Sequence, residues 1–160
     1  SDRIKTIAAL YADRPSMLCI GRDILEPVAK EAALKIKELS YIHAEGYSAS
    51  ELKHGPLALI TKDMPTIAFG SVGVLEDKLL SNIMEIKSRE GPVISVLDEK
   101  CGKSLREVAD HTIIVPSTKL SHTAVIPRLV VGQLFALHLA ELNKRPIDRP
   151  RNLAKSVTVE

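Results

Sequence analysis

Short runs of consecutive apolar residues alternate along the chain with longer stretches of helical spacing, and two interleaved periods of this kind predict an α/β fold. Ile4, Ile7, Ala8 and Tyr11 share one helical stripe, which predicts a helix over residues 2–13. Asp13-Arg14-Pro15 should end it, because proline restricts the residue before it and cannot continue the helix. Met17-Leu18-Cys19-Ile20 reads as a strand that enters a loop at Gly21-Arg22-Asp23. From Ile24 onward, good helix formers carry Leu25, Val28, Ala32, Ile36 and Leu39 on one face. The polar segment Ala44 to His54, with Gly46 and two serines, shows neither period and is predicted as loop with one helical turn. Pro65 to Phe69 is a second strand candidate, and Val74 to Arg89 returns to helical spacing through Leu75, Leu79, Ile83 and Ile86. Val93 to Leu97 and Thr112 to Val115 are β-branched strand candidates, separated by a short helix around Leu105 to Ala109. His122 to Leu142 forms the last long helix, followed over 143–160 by a tail with two prolines. Strands alternating with helices argue a parallel sheet with right-handed crossovers, and functional loops at the carboxyl ends of its strands.

A length of 160 residues suits one domain, so residues 1–160 are taken as a single unit. Aromatic residues are 3% of the chain and tryptophan is absent, so the core must be built from Ala, Val, Ile and Leu. A formal net charge of +2 is too small for the electrostatic footprint of a nucleic-acid binder. Cys19 and Cys101 form no CxxC pair and cannot build a disulfide scaffold or a four-ligand zinc site, which points to a reducing, cytoplasmic setting. The most apolar stretch, near 124–142, contains Pro127, Arg128, Gln133 and His138, and is expected to fall short of a membrane span. The chain opens at Ser1 within a helical pattern, and is expected to be a piece of something longer.

Candidate chemistry gathers on the second helix. Glu31, Lys35 and Glu38 are spaced by four and three residues and occupy neighbouring turns of one face. Such a face is either a solvated salt-bridge ladder or a general base, Glu38, beside a cation that binds an anionic or oxyanionic substrate. Sequence spacing does not choose between them. His54, between Lys53 and Gly55-Pro56, is a loop imidazole that could shuttle protons, although loop histidines are often merely solvated. His138 sits inside a helix, His111 precedes a strand, and His43 ends a helix where a cation suits the dipole, so core or capping roles are expected for these three. Lys155 lies beyond the last periodic helix, where a lysine is ordinarily exposed and idle. HExxH, GxSxG, GxGxxG and Walker sequences are all missing, which removes the commonest zinc-protease, hydrolase, dinucleotide and P-loop readings.

Three segments taken together carry a resemblance: Ala32 to Glu45 (AALKIKELSYIHAE), Glu51 to Leu59 (ELKHGPLAL) and Pro150 to Glu160 (PRNLAKSVTVE). They resemble the glucosamine-6-phosphate synthase family, the glutamine:fructose-6-phosphate amidotransferases, over essentially the whole chain. The resemblance implies the second of two sugar-isomerase (SIS) subdomains, an αβα sandwich with a parallel sheet of about five strands. It implies sugar phosphates as ligands, fructose 6-phosphate and glucosamine 6-phosphate, and no cofactor. It further implies an upstream SIS subdomain and a glutaminase domain in the parent chain, a homodimer, and neither nucleic acid nor membrane as partner. By the same resemblance Glu38 is the base that moves a proton between C1 and C2 of the sugar, and Lys35 stabilises developing negative charge. His54 opens the sugar ring from across the dimer, and Lys155, on a tail that completes the site, contacts the open-chain sugar and can form a Schiff base with it. The family's Ser/Thr-rich phosphate loop belongs to the first subdomain, and no Ser-x-Ser-x-x-Thr sequence stands at a helix start here. Two other readings differ in class. A regulatory SIS module would bind sugar phosphate without converting it, and a signalling receiver would use Asp98 as phosphoacceptor but lacks an acidic cluster after the first strand.

Overall fold

The computed structural model of the chain describes residues 2–153. Five strands, β1 (Ser16–Gly21), β2 (His43–Ser48), β3 (Thr66–Phe69), β4 (Val93–Asp98) and β5 (His111–Val115), form one sheet in the order β2-β1-β3-β4-β5. Every pairing is parallel. Five helices connect and flank them: α1 (Asp2–Ala9), α2 (Glu26–Ser40), α3 (Glu76–Lys87), α4 (Lys103–Val108) and α5 (Val125–Leu142). This is the αβα sandwich expected from the alternation of periods, because a parallel sheet needs crossovers that cover both of its faces.

The two faces have separate cores. Buried Val28, Ala29, Ala32 and Ile36 of α2 pack with Ile4 and Ile7 of α1 and with Val131, Phe135 and Leu139 of α5 on one side. Leu79, Ile83 and Ile86 of α3 pack with Leu105 of α4 and with Ala49, Leu52 and Ile60 on the other. Helices α2 and α5 cross at Gly132, where a Cβ would stand 2.8 Å from the Ala32 Cβ. That closeness requires glycine.

Several expectations need correction. The segment 44–54 has the expected helical turn, a 3-10 turn at Ala49–His54, but what precedes it is edge strand β2 and not loop. Its sequence HAEGYS holds no β-branched residue, and Ala44 is its one fully buried position, so period and propensity were both silent. His43 does not cap a helix but opens β2, exposed; the C-cap of α2 is Tyr41. The first helix stops at Ala9, four residues before Asp13. The apolar stretch expected to fall short of a membrane span does pass by length and composition, since His122–Leu142 has a mean hydropathy of 1.5. Half of it is buried inside the fold, with Arg128 at 0% exposure, as befits the central helix of a core.

Candidate active site

Helix α2 begins with Glu26 and Pro27 in its first turn, where acid and proline are both favoured, and ends where Tyr41 turns into the left-handed region. Between these ends its inner stripe is apolar, which leaves Glu31, Lys35 and Glu38 at the half-buried margin. The Lys35 Nζ donates to Glu38 Oε2 at 2.5 Å and lies 3.8 Å from Glu31 Oε1. Both members of the closer pair are about a quarter exposed, at 29% and 27%. The hydrogen bond to Glu38 raises the Lys35 ammonium above the ordinary lysine range, against the lowering effect of partial burial, and the charges of Glu38 and Glu31 add to it. Lys35 therefore stays cationic beside the carboxylate.

Glu38 faces a groove of about 420 Å³ lined by Lys37, Tyr41, Ile42 and His43 and, from the far end of the chain, by Arg151, Asn152 and Leu153. The returning segment is fixed to the end of α2. The Arg151 backbone N–H donates to the Tyr41 hydroxyl at 2.8 Å, and the Arg151 and Arg145 guanidiniums stand 4.3 Å and 5.2 Å from the Tyr41 ring centre. The groove opens beside His43, at the amino end of β2, so Glu38 does not lie with the loops at the strands' carboxyl ends. Lys155 lies outside the described residues.

His54 is exposed at the end of the 3-10 turn that follows β2. The turn itself is well anchored: Ala49 and Leu52 are fully buried in the α3-side core, and Lys53 pairs with Glu85 of α3 at 2.8 Å. It is thus held on the sheet face opposite to α2, and Glu38 and His54 are not brought together within this chain.

At the carboxyl end of β4 is a polar cluster that sequence reasoning missed. Arg128 of α5, wholly buried, donates to the carbonyls of Gly70 at 2.7 Å and Ala124 at 2.6 Å and reaches Asp98 Oδ2 at 3.5 Å. Asp98 also accepts from the Ser117 hydroxyl and from the Lys100 N–H at 2.9 Å. Burial would raise the Asp98 carboxyl, but these hydrogen bonds and the Arg128 charge outweigh it and hold it below the usual range. At 4% exposure and so bonded, Asp98 is a structural anchor, contrary to the receiver reading. In the sequence Arg128 reads only as an interruption of an apolar stretch; a lone arginine in the middle of an apolar helix is the available signal. The crevice where strand order reverses, between β1 and β3, holds a depression of about 210 Å³ lined by Arg22, Asp23, Ser71 and Gly73, and by none of Lys35, Glu38 and His54. His138 has the expected core role, its Nδ1 3.0 Å from Glu141.

Comparison with known proteins sharpens the assignment. The chain is 47% identical over its full length to a glutamine--fructose-6-phosphate aminotransferase [isomerizing] of Chlorobaculum tepidum and 48% identical to that of Pyrococcus horikoshii. It spans 26%, about a quarter, of the length of each. Among solved structures it is similar to the C-terminal domain of glucosamine-fructose-6-phosphate aminotransferase from Francisella tularensis, with a TM-score of 0.82 and 36% identity over 92% of this chain and 41% of the other. The SIS domain profile matches residues 10–142, from just after α1 to the end of α5. With its parallel five-stranded sheet and that match, the chain belongs to the SIS domain family.

Proposed function

We propose that this domain is the C-terminal SIS half of the isomerase unit of a glutamine:fructose-6-phosphate aminotransferase, acting within a longer cytoplasmic chain that also carries an upstream SIS subdomain and a glutaminase domain. Glutamine-derived ammonia adds to the C2 ketone of open-chain fructose 6-phosphate and water leaves, which gives an imine. Glu38 then removes a C1 proton, acidified by the imine, and returns it to C2, which yields the amino aldehyde of glucosamine 6-phosphate. Lys35 holds Glu38 in place, and its ammonium offsets the negative charge that develops as the C1 proton departs. Lys155, on the segment beyond Leu153, contacts the open-chain sugar. His54 of a second copy moves the proton at the ring oxygen when the furanose opens, so that a homodimer is the working unit and the isolated domain is weakly active or inactive.

The observation that carries this reading is the Lys35–Glu38 pair at 2.5 Å, with Glu38 on the wall of a groove that Arg151, Asn152 and Leu153 also line. Relatives of 42–48% identity, aligned over all or nearly all of the chain, bear the name of that aminotransferase. The test is Glu38→Gln in the full-length enzyme, which keeps shape and removes the base. Deuterium uptake at C2 of glucosamine 6-phosphate in heavy water should fall by about 10²–10⁴, the usual worth of a positioned general base, with sugar-phosphate binding kept. Undiminished uptake removes Glu38 from the role. Tight binding without any uptake in the unsubstituted enzyme would instead fit a module that binds sugar phosphate and does no chemistry.

A further inference from the structure

Tyr41 occupies a backbone position that helices ordinarily give to glycine. It follows the last residue of α2 with φ 63 and ψ 14, in the left-handed region where a Cβ crowds the neighbouring carbonyl. Its N–H closes the helix on Lys37 O at 3.2 Å, a bond that glycine or asparagine would make equally well in the same turn. The side chain is therefore not there for the turn. It makes three contacts with one distant segment: the hydroxyl accepts the Arg151 N–H, and the ring carries the guanidiniums of Arg145 and Arg151. Both arginines follow α5 in sequence. A planar, electron-rich ring suits two cations in a way no aliphatic residue does.

We propose that Tyr41 is a positioning residue that clasps the segment after α5 and thereby holds Arg151, Asn152 and Leu153 on the wall of the Glu38 groove. The proposal rests on the function above in one respect, that the groove of Glu38 takes the sugar. Loss of the clasp would release residues 151–153 from the groove wall, while Glu38, fixed on α2 by Lys35, stays in place.

The test uses the full-length enzyme with Tyr41→Asn, which favours the left-handed turn and so preserves folding, and Tyr41→Phe, which keeps the ring and removes the acceptor. The first readout does not depend on sugar chemistry: amide hydrogen exchange over residues 145–153. Tyr41→Asn should speed it roughly tenfold or more, the scale of two exposed cation–π contacts and a hydrogen bond, with Tyr41→Phe between it and the parent. Exchange over α2 should not change. The second readout is kinetic: kcat/KM for fructose 6-phosphate should fall by about tenfold in Tyr41→Asn with the pH profile unmoved, since the base is untouched. Arg151→Ala added to Tyr41→Asn should cost little more. Unchanged exchange over 145–153 overturns the clasp. Faster exchange with undiminished kcat/KM overturns the positioning role. A parent enzyme that turns over no sugar refutes the proposed function, and the exchange readout still decides the clasp.

Discussion

Replacing Gly46 with alanine asks β2 to hold a methyl group where the backbone of α2 already stands. An ideal Cβ there lies 2.4 Å from Lys30 Cα, 2.7 Å from Lys30 N and 2.8 Å from Ala29 O. Ordinary carbon contacts begin near 3.5 Å, so strand and helix must part by roughly 1 Å, and no flexible side-chain end can yield instead. Overpacking of this kind costs about 1–3 kcal/mol, and two backbone walls place Gly46→Ala in the upper half of that range. Alanine also restricts the unfolded chain, which returns about 0.4–1 kcal/mol. The net expectation is a loss of about 2 kcal/mol, or roughly 4–8 °C in Tm for a domain of this size. Gly102→Ala is the control, because its Cβ would meet Glu76 Oε1 at 2.6 Å, the end of a flexible side chain that can shift even though it accepts from the Gly102 N–H, and φ there is an ordinary −57. Urea titration followed by circular dichroism gives both numbers. A Gly46→Ala midpoint equal to that of Gly102→Ala would falsify the claim that β2 and α2 are in backbone contact. Because α2 bears Lys35 and Glu38, the same 1 Å shift should also reduce turnover in the full-length enzyme, by up to about 10².

Other consequences can be measured in the same way. Arg128→Met should cost about 3–5 kcal/mol in urea titration, since it leaves the Asp98 carboxylate buried without its counter-charge and the Gly70 carbonyl without its donor, and Asp98→Asn should recover part of that loss in the double variant. Asp98 and Asp110 are both held below the usual carboxylate range; for each, burial acts upward and is outweighed, for Asp98 first by Ser117 and for Asp110 first by Lys87. Their folded values lie under their unfolded ones, so the stability they contribute is full above about pH 4 and drains away as pH falls through the folded values. Acid unfolding of Asp98→Asn should accordingly show a shallower pH dependence below pH 4 than the parent, and equal slopes would refute the assignment. Glu38→Gln and His54→Ala dimers, each inactive alone, should regain roughly a quarter of full activity after random subunit exchange, as half the dimers are mixed and each has one intact site of two. No recovery despite demonstrated exchange places both groups in one chain.

Where the sequence was legible, periodicity made it so. Core helices and strands announced themselves through Val28, Ala32 and Ile36 at helical spacing and through the runs Met17 to Ile20 and Val93 to Leu97, because burial on one stripe or on both faces leaves a pattern. Strand β2 left none: at the sheet edge, with one neighbour and a surface half-open to solvent, its side chains are free to be polar. The Glu31-Lys35-Glu38 ladder was visible as spacing, and only the resemblance implied that the C-terminal tail joins its site; the contact of Tyr41 with Arg151, across 110 positions, left no local cue. The left-handed turn at Tyr41 was equally hidden, because the cue for such a turn is glycine or asparagine and neither is present. Arg128 was read as an interruption when it is a linchpin; only the fold supplies the Gly70 and Ala124 carbonyls that make its burial tolerable.

The layering of the domain bears directly on how its candidate groups can cooperate. Glu38 belongs to the α2 layer and the His54 turn to the α3 layer, and the sheet with its two dry cores stands between those layers. General acids and bases must come within roughly 3 Å of the atoms they serve. The anchors of both segments, Ile36 and Leu52, are each at 0% exposure, so neither can swing across without unpacking a core. The two groups nevertheless flank the same edge strand, one just before β2 and one just after it. A second copy whose His54 turn lies against the Glu38 groove of the first would bring them within reach with no change in either fold. Under the proposed function a dimer would be the least costly way for one SIS half to supply both a base and a ring-opening acid, with each chain giving one group to its own site and one to its neighbour's.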